Sequence, residues 1–272
     1  IMAKEAFRLA SHKLPMKTQP KSEMIELIRK NRRVRPHDLA QQLGLSPQAI
    51  HRHLKALVEN GILEAQGKPP RTAYGLTGVP DFADGLAWIK AGSGKAGSEL
   101  TICQTRDVFT ARLSQLKSYQ AQGLDQNDLS LLLAIIGEIG NNSFDHNLGH
   151  FADTPGCWFQ SQHTGRCIWV LIGDRGQGIL SSLKSVYPSI RNHREAIEAA
   201  FEKQISGRPF EHRGNGLKFV KSVILAPKNA GLACMSGSGV LEFGKRGMEC
   251  AGYLNLGRAI KGVATLVAWG LR

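Results

Sequence analysis

Proline and glycine divide the N-terminal part of the chain into short helical segments, and the positions of these helix ends constrain the fold more than any other feature. Pro36 stands at the start of one segment and Gly44 just past its end, the positions that these residues favour around a helix. After a two-residue turn, Ser46 can cap the next segment, Pro47 suits its first turn, and Gly61 closes it. The pattern predicts a helix, a tight turn and a second helix.

A further helical pattern over residues 22–33 precedes this pair, and the last helix of the three has two chemically different faces. Apolar residues recur at the spacing of a packing face: Ile50, Leu54, Leu57 and Val58. Polar and basic residues fall on the opposite face: Gln48, His51, Arg52 and Lys55. We predict that this helix packs through one face and reads duplex DNA in the major groove through the other.

Two short strand patterns follow, joined by a basic loop that contains Lys68 and Arg71. With this loop as a wing, residues 22–76 resemble the DNA-binding domains of bacterial winged-helix repressors. From the positive charge of this wing we predict that Lys68 and Arg71 contact the DNA backbone or the minor groove. A winged helix used only for protein contacts is the alternative.

Positive charge is concentrated in the same part of the chain. Residues 1–78 hold 14 Lys and Arg against six Asp and Glu, a net charge of +8, whereas the other 194 residues have a net charge of +5. This asymmetry indicates a nucleic-acid-binding module joined to a larger unit. No stretch approaches the roughly 18 consecutive apolar residues of a membrane-spanning helix, so we expect a soluble, cytoplasmic protein.

Glycine-rich sequence separates the two parts. Residues 78–98 close with GSGKAGS, and we predict a linker over residues 79–103. The predicted organisation is an N-terminal extension (1–21), a DNA-binding domain (22–78), this linker, and a large domain (104–272).

The first candidate chemistry of the large domain lies on a helix predicted from Asp125 to about Asn147. One arc of this helix carries four polar side chains: Glu138, Asn142, Asp145 and His146. The opposite arc forms a packing face: Leu129, Leu132, Leu133, Ile136, Gly140 and Ser143. Because Leu131 and Ile135 continue the polar arc, we expect a bound ligand to cover it, the alternative being a solvated face.

Two turns that contain glycine complete the candidate site. The strand CIWVLIGD ends at Asp174 and continues into Gly176 and Gly178, so a carboxylate able to accept from an amino group is followed by positions that allow close backbone approach. Farther on, a glycine-containing turn opens an apolar helix whose free N–H groups suit a phosphate. Its residues are Arg213, Gly214, Asn215, Gly216 and Leu217.

In this order, ExxxN on a helix, DxGxG after a strand and GxGL opening a helix resemble the GHKL ATP-binding domain, which gyrase, the ninety-kilodalton heat-shock chaperone, histidine kinases and MutL share. The resemblance covers about residues 125–270. It implies an α+β chain in which a winged helix-turn-helix precedes a Bergerat-type α/β sandwich, with a layer of helices on a mixed sheet of four or five strands. ATP would lie between the helices and a mobile lid that runs from Gly178 to Gly214.

The resemblance also implies ATP and Mg²⁺ as cofactors and assigns roles to residues. Asp174 would bind the adenine amino group, with Gly178 close to the base. Asn142 would coordinate Mg²⁺, and Glu138 would position or deprotonate the attacking water. The remaining nucleotide contacts would come from Gly176, Ile179, Arg213, Gly214, Asn215, Gly216, Leu217 and, in the last strand, Thr265.

The chain departs from the kinase pattern, because Asp145 stands where many histidine kinases have Lys or Arg, and no helical hairpin with a phosphoacceptor histidine is recognised. Our leading hypothesis is a DNA-binding transcriptional regulator whose ATPase domain senses or hydrolyses ATP. Its expected partners are double-stranded DNA, ATP or ADP, a second copy of the chain and a regulatory protein. A protein kinase of anti-sigma-factor type, acting on Ser, Thr or His, and a scaffold with structural ATP are the alternatives.

Overall fold

The computed structural model describes residues 20–60, 62–94, 101–147, 151, 155–184, 186–202, 215–226, 229–254 and 256–271. The chain divides into two units, residues 1–77 and 78–272. None of the helices in these described ranges has the length and apolar character that crossing a membrane requires.

Three helices and a small antiparallel sheet build the N-terminal unit. In chain order they are α1 (Pro20–Asn31), β1 (Arg33–Val34), α2 (Pro36–Leu43), α3 (Pro47–Glu59), β2 (Leu63–Gln66) and β3 (Ala73–Leu76). The strand order is β1-β3-β2. The helices and the sheet enclose one apolar core, formed by Met24, Ile28, Val34, Leu39, Ile50, Leu54, Leu57 and Leu63.

The ends of the two central helices follow from local chemistry, as predicted. Gly44 adopts a left-handed conformation (φ 63°) just after α2, which glycine reaches without the strain of a side chain. The Ser46 hydroxyl oxygen accepts a hydrogen bond from the Ala49 N–H (3.2 Å), and Pro47 is the first residue of α3. Gly61, predicted to close α3, lies outside the described residues.

The second unit contains the remaining elements. They are α4 (Ala83–Ala91), β4 (Ile102–Cys103), α5 (Arg106–Leu113), a 3₁₀ helix (Ser114–Gln122), α6 (Gln126–Asp145), β5 (Cys157–Thr164), β6 (Cys167–Asp174), α7 (Gly178–Lys184), α8 (His193–Glu202), α9 (Gly216–Leu225), β7 (Ala230–Gly237), β8 (Gly239–Gly244), α10 (Gly247–Leu254) and β9 (Ile260–Gly270).

These strands form one sheet in the order β4-β5-β6-β9-β7-β8. In β6 successive side chains enter different cores: Ile168 and Val170 pack with α5, α6, α8 and α9, whereas Trp169 and Leu171 pack with α4 and α10. Within the described residues this sheet has six strands, and every pair of neighbouring strands is antiparallel. The expectation of a mixed sheet with four or five strands is therefore wrong, because β6, β9 and β7 each run opposite to their neighbours.

The prediction of a linker at 79–103 is also wrong for much of that range. Residues 83–91 form α4, which buries Trp88 and Ile89, and Ile102–Cys103 forms β4. The glycine content misled the prediction because Gly85 serves packing: a Cβ there would overlap the Trp158 ring. The second unit consequently begins near residue 78, not at 104.

Candidate functional site

The N-terminal unit presents the predicted DNA-binding residues to solvent. On α3, Ile50, Leu54 and Leu57 are buried in the core. The polar residues of the opposite face are all exposed: Gln48, His51, Arg52 and Lys55. A helix with one buried and one exposed polar face is the geometry that a major-groove reading helix needs.

The wing also carries exposed positive charge. Lys68 and Arg71 are both exposed, and the Arg71 N–H donates to the Lys68 carbonyl (2.8 Å), which closes the loop between β2 and β3. On α3 the Lys55 ammonium lies 3.9 Å from the Glu59 carboxylate in a solvent-exposed pair. Such a pair contributes little free energy, so Lys55 is available to a phosphate or a base.

In the second unit, polar groups converge on Asp174 at the end of β6. The carboxylate is only 2% exposed and accepts a hydrogen bond from the Gly176 N–H (2.9 Å). Burial raises the pKa of Asp174 to about 6, although hydrogen bonds from Gly176, Ser143, Val263 and Asn147 favour its ionised form. A buried carboxylate in this state gains free energy from any further donor that reaches it.

Asn147 joins the end of α6 to the loop that follows Asp174. Its side-chain oxygen accepts from the Gln177 N–H (3.0 Å), and its amide donates to the Ser143 carbonyl (3.0 Å). The Gln177 amide in turn donates to the His146 carbonyl. A Cβ on Gly176 would overlap the Asn147 side chain, so any other residue at that position would displace Asn147.

Gly178 begins α7 in a conformation that favours glycine. Its φ is +77°, and a Cβ would lie 2.9 Å from the Lys261 carbonyl oxygen. The next residue, Ile179, donates its N–H to the Ser236 hydroxyl (3.0 Å), which donates to the Gly262 carbonyl (3.2 Å). The start of α7 is thereby fixed against β7 and β9, beside Asp174.

A second group of predicted residues lies where α6 contacts the start of α9. The Glu138 carboxylate, on the exposed side of α6, contacts Gly216 so closely that a Cβ on Gly216 would overlap it. Asn142 is half-buried one turn farther along α6, and Asn215 is exposed at the N-terminal cap of α9. Leu217 packs against the core below, while Arg213 and Gly214 lie outside the described residues.

Two other predicted positions have different surroundings. Thr265 is buried in β9 and hydrogen-bonds to the Cys234 thiol on β7, whose pKa burial raises to about 12. On the other side of β9, Thr265 is the register partner of Ile172, two residues before Asp174 on β6. The β9 residues that contact Asp174 are Gly262 and Val263. Asp145 pairs with the Arg106 guanidinium of α5, which neutralises its charge beside Asn142.

Several residues of the Asp174 cluster were not predicted as site residues, among them Ser143, Asn147, Ser236, Gly262 and Val263. Ser143 was assigned to the packing face of α6, and it is indeed buried. Asn147 was taken only as the end of that helix. Ser236 and Gly262 belong to β7 and β9, and their sequence gives no signal that these strands meet at Asp174.

Within the part of the chain that the structure describes, no three His, Cys, Asp or Glu side chains are grouped so that they could hold a metal ion. A magnesium ion at Asn142 would therefore need most of its ligands from a bound phosphate and from water.

Comparison with known protein families bears on the N-terminal unit. A family model described as winged helix-turn-helix DNA-binding matches residues 21–64. No curated protein matches the chain. The family match and the fold of residues 20–76 confirm a winged helix-turn-helix DNA-binding domain, and this domain suggests DNA as a partner.

Proposed function

We propose that this protein is a transcriptional regulator that binds duplex DNA through α3 and the wing and binds ATP with Mg²⁺ in its second unit. The DNA-binding half rests on the winged helix-turn-helix domain and its exposed face. One observation carries the nucleotide half: Asp174, followed by the Gly176 and Gly178 loop, hydrogen-bonds to Ser143 of α6, the helix that also carries Glu138 to the start of α9.

The surroundings of Asp174 fit a ligand that offers an amino group. Burial disfavours the ionised form of this carboxylate and raises its pKa, although four groups already donate hydrogen bonds to it. An exocyclic amino group, such as that of adenine, would donate to it and favour the ionised form. Because Asp174 is 2% exposed, such a ligand must displace part of its present covering, to which Asn147 belongs.

The surroundings of Gly216 fit a phosphate. This residue opens the ten-residue helix α9, and backbone N–H groups at a helix start attract anions. The Glu138 carboxylate touches the same backbone, so a phosphate there would meet a side chain able to orient or deprotonate water. Bound ATP and Mg²⁺ would supply the adenine donor and the phosphates, with Asn142 as the protein ligand of the metal.

The same proposal includes a homodimer and a regulatory role for nucleotide. Two winged helix-turn-helix domains reading one operator would require a palindromic site with half-sites about one helical turn apart or a multiple of it. ADP would compete with ATP because both carry the adenine amino group.

The test is nucleotide binding by the full-length chain, measured by calorimetry with ATP and Mg²⁺. Asp174→Asn should abolish or severely weaken binding, whereas Glu138→Ala should leave binding and remove any hydrolysis, since one carboxylate recognises the base and the other acts in the chemical step. Asp107→Asn removes an exposed carboxylate from α5 as a matched control. Normal ATP binding by Asp174→Asn would refute the assigned site.

Activity assays on the same variants separate the classes of function. Transfer of labelled phosphate to a candidate partner would favour the kinase. Binding without hydrolysis or transfer, and without any effect on DNA affinity, would favour a scaffold with structural ATP.

A further inference from the structure

Two cysteines stand directly opposite each other at the edge of the large sheet. Cys103 of β4 is the register partner of Cys157 of β5, and both thiols are reduced and buried. Residues directly opposite in an antiparallel pair have Cα atoms about 4.5–5.5 Å apart. This range lies within the roughly 4.4–6.8 Å that disulfides span, so a bond between these thiols would need little backbone movement.

The local backbone brings the two strands close and leaves them at an edge. Gly156 approaches the Cys103 carbonyl so closely that a Cβ on Gly156 would overlap it. β4 is an edge strand with a two-residue ladder to β5. Short edge ladders open locally at low free-energy cost, which gives small reagents access to thiols that are buried on average.

The two thiols also interact chemically. The Cys157 thiol donates a hydrogen bond to the Cys103 sulfur, which together with the Arg112 guanidinium lowers the pKa of Cys103. The same hydrogen bond and burial raise the pKa of Cys157. Thiolate is the nucleophilic form of cysteine, so Cys103 is the expected site of first attack.

The other cysteines lack this arrangement. Burial raises the pKa of Cys167, Cys234 and Cys250, and these thiols remain in their unreactive protonated form. All five cysteines of the chain lie within described residues. Among them, Cys103 is the one whose pKa is lowered.

We propose that Cys103 and Cys157 form a redox modification site, at which a hydroperoxide converts the two thiols into an intramolecular disulfide. The site lies next to the candidate nucleotide site, because Cys157 is also the register partner of Asp174 on β6. The proposal does not depend on nucleotide binding.

The chemistry takes two steps and balances. The Cys103 thiolate attacks one oxygen of hydrogen peroxide; an S–O bond forms, the O–O bond breaks, and the leaving hydroxide becomes water. The Cys157 sulfur then attacks the Cys103 sulfenic acid; an S–S bond forms, the S–O bond breaks, and the second oxygen leaves as water with the proton of Cys157. Two thiols lose two electrons, and one peroxide is reduced to two waters.

The experiment treats the reduced, folded, full-length chain with stoichiometric hydrogen peroxide, then blocks the remaining thiols with a maleimide in denaturant. Intact mass should show the loss of two hydrogens and three blocked cysteines in place of five. Trypsin separates the two residues cleanly, since Cys103 lies alone in peptide 96–106 and Cys157 alone in peptide 118–166. The expected product is these two peptides joined, and joined within one chain.

Variants assign the roles. Cys103→Ser should lose the linked product, whereas Cys167→Ser, also in a buried strand, should keep it. Arg112→Met should slow its formation. Absence of the linked pair from the oxidised wild-type chain, its appearance only in denaturant, or an unchanged disulfide yield in Cys103→Ser would overturn the proposal; the first two results need no variant to fold.

Discussion

At the scale of single residues, the two candidate sites use charge in opposite environments. Arg52 and Lys55 are exposed to solvent, where a charged side chain has no desolvation cost and can contact a charged partner. Asp174 is buried, where the ionised form depends on the donors around it. We therefore expect the exposed cations to affect DNA binding and to contribute little to stability, and we expect Asp174 to affect both ligand binding and stability.

The exposed face of α3 predicts a loss of DNA affinity on charge removal. Arg52→Ala with Lys55→Ala should weaken binding of the full chain, by roughly 1–3 kcal/mol for each side chain that reads a base. The dependence of log K on log salt should also become less steep if either side chain contacts a phosphate. Lys117→Ala with Arg191→Ala removes two exposed cations of the second unit as a control. Equal titration curves for the wild type and the α3 variant would show that α3 does not read DNA.

The raised pKa of Asp174 predicts a pH-dependent stability. Below the ordinary pKa of 3.8 the group is protonated in both states; between 3.8 and about 6 only the unfolded chain ionises, so folding stability falls as pH rises. Above about pH 6 the Asp174 carboxyl is ionised in both states, and the folding stability has fallen by roughly 3 kcal/mol in total. Asp174→Asn lacks this titration, so its unfolding free energy should rise relative to wild type between about pH 4 and pH 7.

Urea unfolding of both proteins at the two pH values measures the difference. Asp84→Asn, at an exposed position of α4, is the control and should show no such trend. A difference between wild type and Asp174→Asn that is the same at both pH values would contradict the raised pKa.

At the scale of elements, α6 organises the second unit. One face packs on the sheet and against α5, and its C-terminal turn is bonded to the loop after β6. The contact with α5 is tight at Gly140, where a Cβ would overlap the Phe109 ring. Phe109 itself is buried edge-on against Phe159, with ring centroids 5.7 Å apart. The packing of α6 against α5 thus depends on the absence of a side chain at Gly140.

Two alanine substitutions in α6 test this packing. Gly140→Ala should destabilise the protein by about 1–3 kcal/mol because the new methyl displaces a packed ring. Gly137→Ala, one turn earlier, meets only Leu113 at 3.6 Å, an ordinary contact. This control should gain up to about 1 kcal/mol from the higher helix propensity of alanine. Thermal or urea unfolding compares them, and similar effects at both positions would show that α5 does not pack on α6 as described.

At the scale of the whole molecule, the chain joins a basic DNA-binding unit to a larger unit with its own sheet and cores. The net charge of +8 in residues 1–78 favours non-specific attraction to DNA, and in the proposed function specificity would come from the few exposed side chains of α3. Because most of the predicted linker belongs to the second unit, the units follow each other closely along the chain near residue 78.

Coupling between ATP and DNA is the prediction at this scale, and it rests on the proposed function. ATP should change DNA affinity, and DNA should change ATP affinity by the same factor, because binding free energies are linked reciprocally. DNA titrations without nucleotide, with ADP and with ATP at one fixed salt concentration measure the factor. Superimposable curves, with ATP shown to be bound, would mean that nucleotide serves a task other than control of DNA binding.

The sequence by itself determined the features that depend on neighbours along the chain. Ser46, Pro47 and Gly44 set the ends of α2 and α3 through capping and backbone conformation, and a 3.6-residue period assigned Arg52 to the exposed face. The same local rules predicted α6 and the strand that ends at Asp174.

The tertiary structure alone decided which distant segments meet. The sequence predicted that Gly85 belongs to a linker. In the structure Gly85 packs against Trp158, which lies more than seventy residues farther along the chain. Ser236 and Gly262 reach the Asp174 cluster because β9 and β7 follow β6 in the sheet, an order different from that along the chain. Periodicity and capping report on contacts a few residues apart, whereas strand order is set by burying apolar faces over the whole unit, and no local pattern encodes it.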